Sequence, residues 1–354
     1  MRILELTGFC ANYGSNFIPT LECLDETCQK LGHDLFYIFS DANPSQKFFE
    51  WEIPFSNRHN TSLFDFGSKN FEKNVANYII EHQIDVVHGD FIRSIQFSNI
   101  KKMSPKHVKF YQHIHNSMYK TKNLYEFCKR IRNLLFLDKS ILKICCSESL
   151  VPSAEYMFPF SKVVSCKNAI ELNRLEPSER NDCSTFNMLL FGHNYYVKGV
   201  DLAIEAAIEL NKKHPVHLDI VMSNNMEKNK RIIIEKYGCI PSCISILEPV
   251  SNVVEVYKNH KVFLNASIEE GMSYANIEAY YCGNLCVYSD IPQNKEPGLP
   301  NVIYFTSGSL DSLITAINCA YNKRESYVND INYVVNNFSL QSWADKMVKL
   351  MNLN

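Results

Sequence analysis

Residues 261–290 read KVFLNASIEEGMSYANIEAYYCGNLCVYSD, and how this stretch divides decides the fold. KVFLNAS (261–267) is an apolar run of strand length, IEEGM (268–272) a loop, SYANIEAYYCGN (273–284) a helical run, and LCVYSD (285–290) apolar again. Gly283 and Asn284 end the helical run, because both residues tolerate the left-handed backbone that closes a helix. Strand, loop, helix and strand make one βαβ unit, which predicts a parallel sheet.

Working outward, the same alternation fills the rest of the second half. FNMLLFG (186–192), the helical GVDLAIEAAIELNKKH (199–214), HLDIVMS, RIIIEKYG, CISILEP and VVEVYKNH precede the quoted stretch. The first half carries its own series. RILEL, DLFYIF, IDVVHG, HVKFYQHIH and KICCSE read as strands, and the helix between the first two places Phe17, Leu21, Leu24, Cys28 and Leu31 on one face before Gly32. Between them, residues 165–185 are polar and rich in turn formers, as a linker is. SLQSWADKMVKLMN (339–352) reads as a terminal amphipathic helix. The expectation is an α/β chain whose fold restarts: a domain over 1–168, a second over 169–336, and a tail helix over 337–354.

Open parallel sheets bind ligands beyond the carboxyl ends of their strands, so residues just after strands are the candidates. In the first half these are Gly14, in ANYGSNF at a helix start, and the histidines His88, His113 and His115. In the second half they are Gly192, His193 and Lys198. A lysine at a helix start has the wrong sign for the macrodipole unless an anion sits with it. Glu270 in the loop and Glu278 in the first turns of the following helix both face the space at that helix N-terminus. That space suits a phosphate, and carboxylates accept hydrogen bonds from the hydroxyls of a ribose or a sugar. Together the set predicts a sugar-nucleotide site.

Glu270 through Glu278 resembles the E-x7-E motif of retaining GT-B glycosyltransferases, in particular glycosyltransferase family 4. YGSNF and LGHDL, IDVVHGD, HIHNS, CKNAIEL, FGHNYYVKGVD and FSLQSWADKM resemble further segments of that family in the same order along the chain. The resemblance implies two Rossmann-like domains facing each other across a cleft, with the C-terminal helix crossing back to the N-terminal, acceptor-binding domain. It gives Lys198 to the donor diphosphate, Glu278 to the nucleotide ribose, Glu270 to donor-sugar hydroxyls, His115 to the donor sugar and Gly14 to the diphosphate. Gly271, Met272, Ser273 and Tyr274 fall in the donor pocket, with Glu270, Lys198 and His115 as the catalytic set. His193 stands where the family has arginine, and Gly14-Ser15 where it often has two glycines. Net retention, a UDP-linked donor, a glycan or lipid-linked glycan acceptor in bacterial surface polysaccharide synthesis, and no metal or cofactor are the further expectations. A sugar-nucleotide epimerase or hydrolase on the same scaffold, and a non-catalytic partner subunit, are the alternatives.

Composition narrows the setting. A net charge of -2 over 354 residues gives no global drive toward nucleic acid, and no recognised nucleic-acid module is present. Thirteen cysteines, without zinc-ligand spacing, read as buried reduced thiols and predict a cytoplasmic protein. The exception to neutrality is local: from Arg93 to Lys143 a dozen Lys and Arg face two carboxylates. Within it, Leu124, Phe127, Ile131, Leu134 and Leu135 share one side of a helical run, with Lys129, Arg130 and Arg132 beside them. Two readings follow: a helix packing on its own sheet with a solvated basic face, or peripheral contact with an anionic membrane.

Overall fold

The structure is a computed structural model and describes residues 1–9, 16–40, 60–117, 123–179, 186–222, 226–249 and 252–353. Two compact units divide the chain: Met1–Glu171 with Phe338–Asn354, and Leu172–Asn337.

The first unit is built on a parallel sheet of seven strands, in the order β3-β2-β1-β4-β5-β6-β7. β1 (Arg2–Thr7), β2 (Asp34–Ser40), β4 (Val86–Asp90), β5 (Lys109–Ile114) and β6 (Leu142–Cys145) are the runs expected from sequence. The edge strands β3 (Asn60–Phe64) and β7 (Val163–Ser165) are additions at the two margins. The central strands are buried on both faces, which is why they read as unbroken apolar runs rather than alternating ones. Helix α1 (Phe17–Lys30) buries Leu21, Leu24 and Cys28 and ends at Gly32, whose φ of +73° is the left-handed turn the sequence called for.

Helices α2 (Phe71–Glu81), α3 (Ser94–Met103), α4 (Leu124–Phe136) and α5 (Val151–Met157) complete the unit, with the terminal helix of Leu340–Leu350. That terminal helix buries Trp343, Ala344, Met347 and Val348 in one apolar cluster with Leu21, Leu24 and Cys28, so the chain's end is part of the first unit's core. Full burial of such side chains is worth about 1.5–3 kcal/mol each for the larger ones.

The second unit has six parallel strands in the order β10-β9-β8-β11-β12-β13. They are β8 (Asn187–Phe191), β9 (His217–Val221), β10 (Ile244–Leu247), β11 (Val262–Asn265), β12 (Leu285–Ser289) and β13 (Ile303–Phe305). Helices α6 (Val200–Asn211), α7 (Met226–Tyr237), α8 (Val253–Lys258), α9 (Tyr274–Tyr281), α10 (Pro292–Lys295), α11 (Leu310–Lys323) and α12 (Ile331–Phe338) connect and cover them, and the terminal helix is α13. In each sheet the order reverses once at the centre, between β1 and β4 and between β8 and β11. At such a switch point the two following loops part and leave a crevice at the strand ends. The cysteines among the described residues are all free thiols.

Candidate active site

In the second unit the crevice lies between the loop after β8 (192–199) and the loop after β11 (266–273). The two loops are tied together: the Ile268 amide donates to the Val197 carbonyl at 2.9 Å. Gly199 lies against Ala266 so closely that a Cβ would come within 2.2 Å of the Ala266 carbonyl oxygen, and its φ is +62°. Only glycine fits both demands. This contact brings Lys198 to Glu270: the Lys198 ammonium donates to Glu270 Oε1 at 2.6 Å. The same oxygen accepts from Ser267 Oγ at 2.6 Å and from Asn265 Nδ2 at 3.4 Å.

Behind Glu270 stands a buried amide ladder. Asn265 donates to Asn276 at 2.7 Å, Asn276 to Asn294 at 3.0 Å, and Asn294 to Ser289 Oγ at 2.9 Å. Buried amides paired in series fix one another's orientation, so the Glu270 loop rests on a rigid floor. Gly271 and Met272 are buried, whereas Ser273 and Tyr274 are half-buried at the mouth of α9. Ser273 precedes that helix without a side-chain capping bond.

Glu278 sits one turn inside α9, almost wholly buried, and both of its oxygens are engaged. Arg174 donates to Oε1, and the Tyr257 hydroxyl to Oε2 at 3.0 Å. A carboxylate oxygen carries two lone pairs, so each oxygen of Glu278 can accept more than one hydrogen bond. Its position is thereby fixed by a 3₁₀ turn at Leu172–Arg174, about a hundred residues away in sequence. His193, on the same loop as Lys198, is partly open to solvent. Desolvation by the surrounding loop and the adjacent Lys198 ammonium push its imidazole down to about 4, against the pull of Glu270. It is therefore neutral at neutral pH in the free protein, and Lys198 is the cation of this loop.

The first unit has a histidine cluster at the ends of β4 and β5. His115 pairs with Asp90, stacks on Phe91 (4.3 Å, 3° between planes) and on His113 (4.7 Å, 11°), and meets Phe17 edge-on. Burial opposes the charge of Asp90, but the His115 imidazole, with His113 and His88 behind it, holds the carboxyl well below the usual range. Deeper in, Glu5 pairs with His88 at 2.6 Å, and His88 Nε2 lies 3.3 Å from His113 Nδ1. Asp90, His113 and His115 place three donor atoms within 4.8 Å of one another, a composition able to hold a metal ion. In the structure one of the two imidazoles is already committed to Asp90 by a hydrogen bond.

Of the predicted residues, Lys198, Glu270 and His193 come together on two adjoining loops, with Gly271, Met272, Ser273, Tyr274 and Glu278 following Glu270. His115 belongs to the first unit's own cluster. Gly14 lies outside the described residues. Arg174, Tyr257, Asn265, Ser267 and Asp90 were not singled out from sequence, since what marks each is a partner brought by the fold. One expectation is corrected: α4 does not pack through its apolar side. Leu124, Phe127, Ile131 and Leu135 are exposed, and the buried residue of the helix is Asn133.

These features define an α/β protein of two parallel-sheet, Rossmann-like units, the GT-B fold of glycosyltransferases. Residues 185–323 match the family model for glycosyl transferases group 1. No curated protein matches the sequence. Among solved structures, the chain is similar to a glycosyltransferase from Rickettsia africae, with a TM-score of 0.72 and 16% identity over 99% of this chain and 97% of that one. It is similar to sucrose-phosphate synthase from Thermosynechococcus elongatus, with a TM-score of 0.77 and 13% identity over 100% and 99%. It is similar also to Anabaena HepE in complex with UDP and glucose, with a TM-score of 0.73 and 14% identity over the whole of both chains.

Proposed function

We propose that the protein is a cytoplasmic retaining glycosyltransferase that moves a sugar from a nucleoside-diphosphate donor, UDP-linked, to a hydroxyl of a glycan or lipid-linked glycan acceptor in bacterial surface polysaccharide synthesis. The observation that carries the reading is the Lys198–Glu270 pair on the two loops of the switch point, with Glu278 held eight residues on. That pair lies within the stretch matching the group 1 family model, and HepE, of similar fold, was crystallised with UDP and glucose.

Each residue then has a task its chemistry allows. Lys198 has further N–H donors beyond the one given to Glu270, and these meet the diphosphate oxygens as charge builds on the leaving group. Glu270 turns its free oxygen to donor-sugar hydroxyls, while Glu278 accepts from the ribose hydroxyls. His115, oriented by Asp90, is proposed as a hydrogen-bonding group for sugar hydroxyls. In the transfer, the acceptor oxygen forms a bond to the anomeric carbon from the face the diphosphate leaves. The carbon–oxygen bond to the diphosphate breaks, and the acceptor proton passes to a departing phosphate oxygen. Catalysis is positioning and charge stabilisation, without a metal.

The test is an assay with UDP-sugars and a panel of glycan acceptors in excess EDTA, reading product configuration by the anomeric proton coupling. A glycoside with the donor's configuration supports the proposal. Inverted product, or donor consumed equally without acceptor, refutes it, the latter in favour of a hydrolase or epimerase. Nucleotide binding without any turnover points to the partner-subunit reading.

A further inference from the structure

Helix α4 is built inside out. Leu124, Cys128, Ile131 and Leu135 recur at spacings of four, three and four, so they form one row along the axis. That row faces outward: Leu124 is 77% and Leu135 68% exposed, with Phe127, Tyr125 and Phe136 exposed beside it. The opposite, inward face is polar. Asn133 donates to the Met157 carbonyl at 3.0 Å and Arg130 to the Tyr156 carbonyl at 2.9 Å, so two polar side chains satisfy the open carbonyls at the end of α5. Arg130 also lies over the Tyr156 ring. The helix is thus anchored through its polar side and leaves its apolar side without cover among the described residues.

The surroundings are cationic. Arg132 and Lys139 are exposed, Lys139 lies over the ring of the 80% exposed Phe160, and Lys102 reaches the last turn of α4 at the Phe136 carbonyl. The two carboxylates of the segment are occupied. Glu126 faces Lys129, and Asp138 accepts from the Ser140 amide and hydroxyl. An apolar row rimmed by cations repels a second copy of itself and complements an anionic, partly apolar surface.

We propose that α4 is an interfacial anchor that seats the first unit on an anionic lipid bilayer, with Leu124, Ile131 and Leu135 among the acyl chains and Lys102, Arg132 and Lys139 at the phosphates. The row from Leu124 to Leu135 runs about 16 Å along the helix, far short of the roughly 30 Å needed to cross a bilayer, so the helix lies in the plane. No helix among the described residues is long and apolar enough to cross a membrane. The inference does not depend on the glycosyltransferase reading, since it concerns only where the first unit rests.

The experiment is co-sedimentation of the full chain with vesicles of phosphatidylcholine alone or with phosphatidylglycerol, at low and high salt, repeated with Ile131→Glu/Leu135→Glu and with Arg132→Glu/Lys139→Glu. All four side chains are exposed, so thermal unfolding serves as a control that should not move. The expected result is binding to the anionic vesicles, weakened about tenfold or more in each double variant and reduced by salt. A Leu135→Trp variant should show a blue shift in emission on adding those vesicles. Equal binding by wild type and variants overturns the proposal, as does no binding to anionic vesicles at low salt. A dimer in sedimentation that Ile131→Glu/Leu135→Glu abolishes also overturns it, by assigning the face to a second copy.

Discussion

Replacing Arg174 with alanine removes the cation from a carboxylate that is 5% exposed. The loss of one partner from a buried pair costs about 3–5 kcal/mol. Three features of this site place the expected loss just below that range, at about 2–3 kcal/mol. Arg174 is itself partly open to water, and its Nε already lacks a hydrogen-bond partner. The Tyr257 hydroxyl also remains on Glu278 Oε2. For a unit of this size each kcal/mol moves the midpoint by about 2–4 °C, so the transition of the second unit should fall by roughly 4–12 °C. Thermal unfolding followed by circular dichroism on wild type, Arg174→Ala, Glu278→Gln and the double variant closes the cycle. A neutral amide does not need the guanidinium, so the double variant should regain much of the loss, with a coupling of about 2 kcal/mol. Purely additive losses, or an Arg174→Ala midpoint within a degree of wild type, would refute the claim that Arg174 holds Glu278.

Three further outcomes follow from the same geometry. His193 stays neutral in the folded protein down to about 4, whereas the unfolded chain takes up that proton near 6.5. Stability should therefore fall as pH drops from 6.5 toward 4, and less so in His193→Asn, as unfolding titrations at several pH values will read. Gly199→Ala forces a Cβ onto the Ala266 carbonyl at a left-handed backbone, so a loss of at least about 2 kcal/mol is expected in denaturant unfolding, with donor turnover falling further as Lys198 is displaced. Lys143 is buried with Gln112 Oε1 as its partner at 2.7 Å, and desolvation pushes its ammonium down to about 7. Because this lies well below the value in the unfolded chain, folding releases the proton progressively as pH rises above 7, so wild-type stability should rise between pH 7 and 10. Lys143→Met should lack that rise and be as stable or more so at pH 7, by about 1–4 kcal/mol.

The strands of both sheets' centres were legible because each is apolar throughout and bounded by turn residues, as strands covered on both faces must be. The edge strands β3, β7 and β13 were not. NTSLF, VVS and IYF are short, and their neighbours decide their pairing. The placement of His193, Lys198 and Glu270 on loops after strands, and of Glu278 in the helix that follows, was legible. What holds them was not legible. Arg174 reaches Glu278 from 104 residues away and Tyr257 from 21, and a lone arginine in a turn-rich segment looks like any surface cation. Helix α4 shows the converse error. Its periodicity located the helix correctly, but a moment fixes only that one face is apolar, and here Asn133 and Arg130 find carbonyls on α5 and turn that face outward.

The central claim is that the loop after β8 and helix α9 bind a nucleoside diphosphate through Lys198 and Glu278. The most direct measurement is a thermal-shift titration of UDP, GDP, ADP and their sugar conjugates on wild type, Lys198→Ala and Glu278→Ala. Saturation at about a hundred times Kd stabilises the binding state by about 2.7 kcal/mol, a shift of several degrees. The account predicts such a shift for the uridine nucleotides, absent in both variants. No shift with any nucleotide at millimolar concentration, or an undiminished shift in both variants, would contradict it.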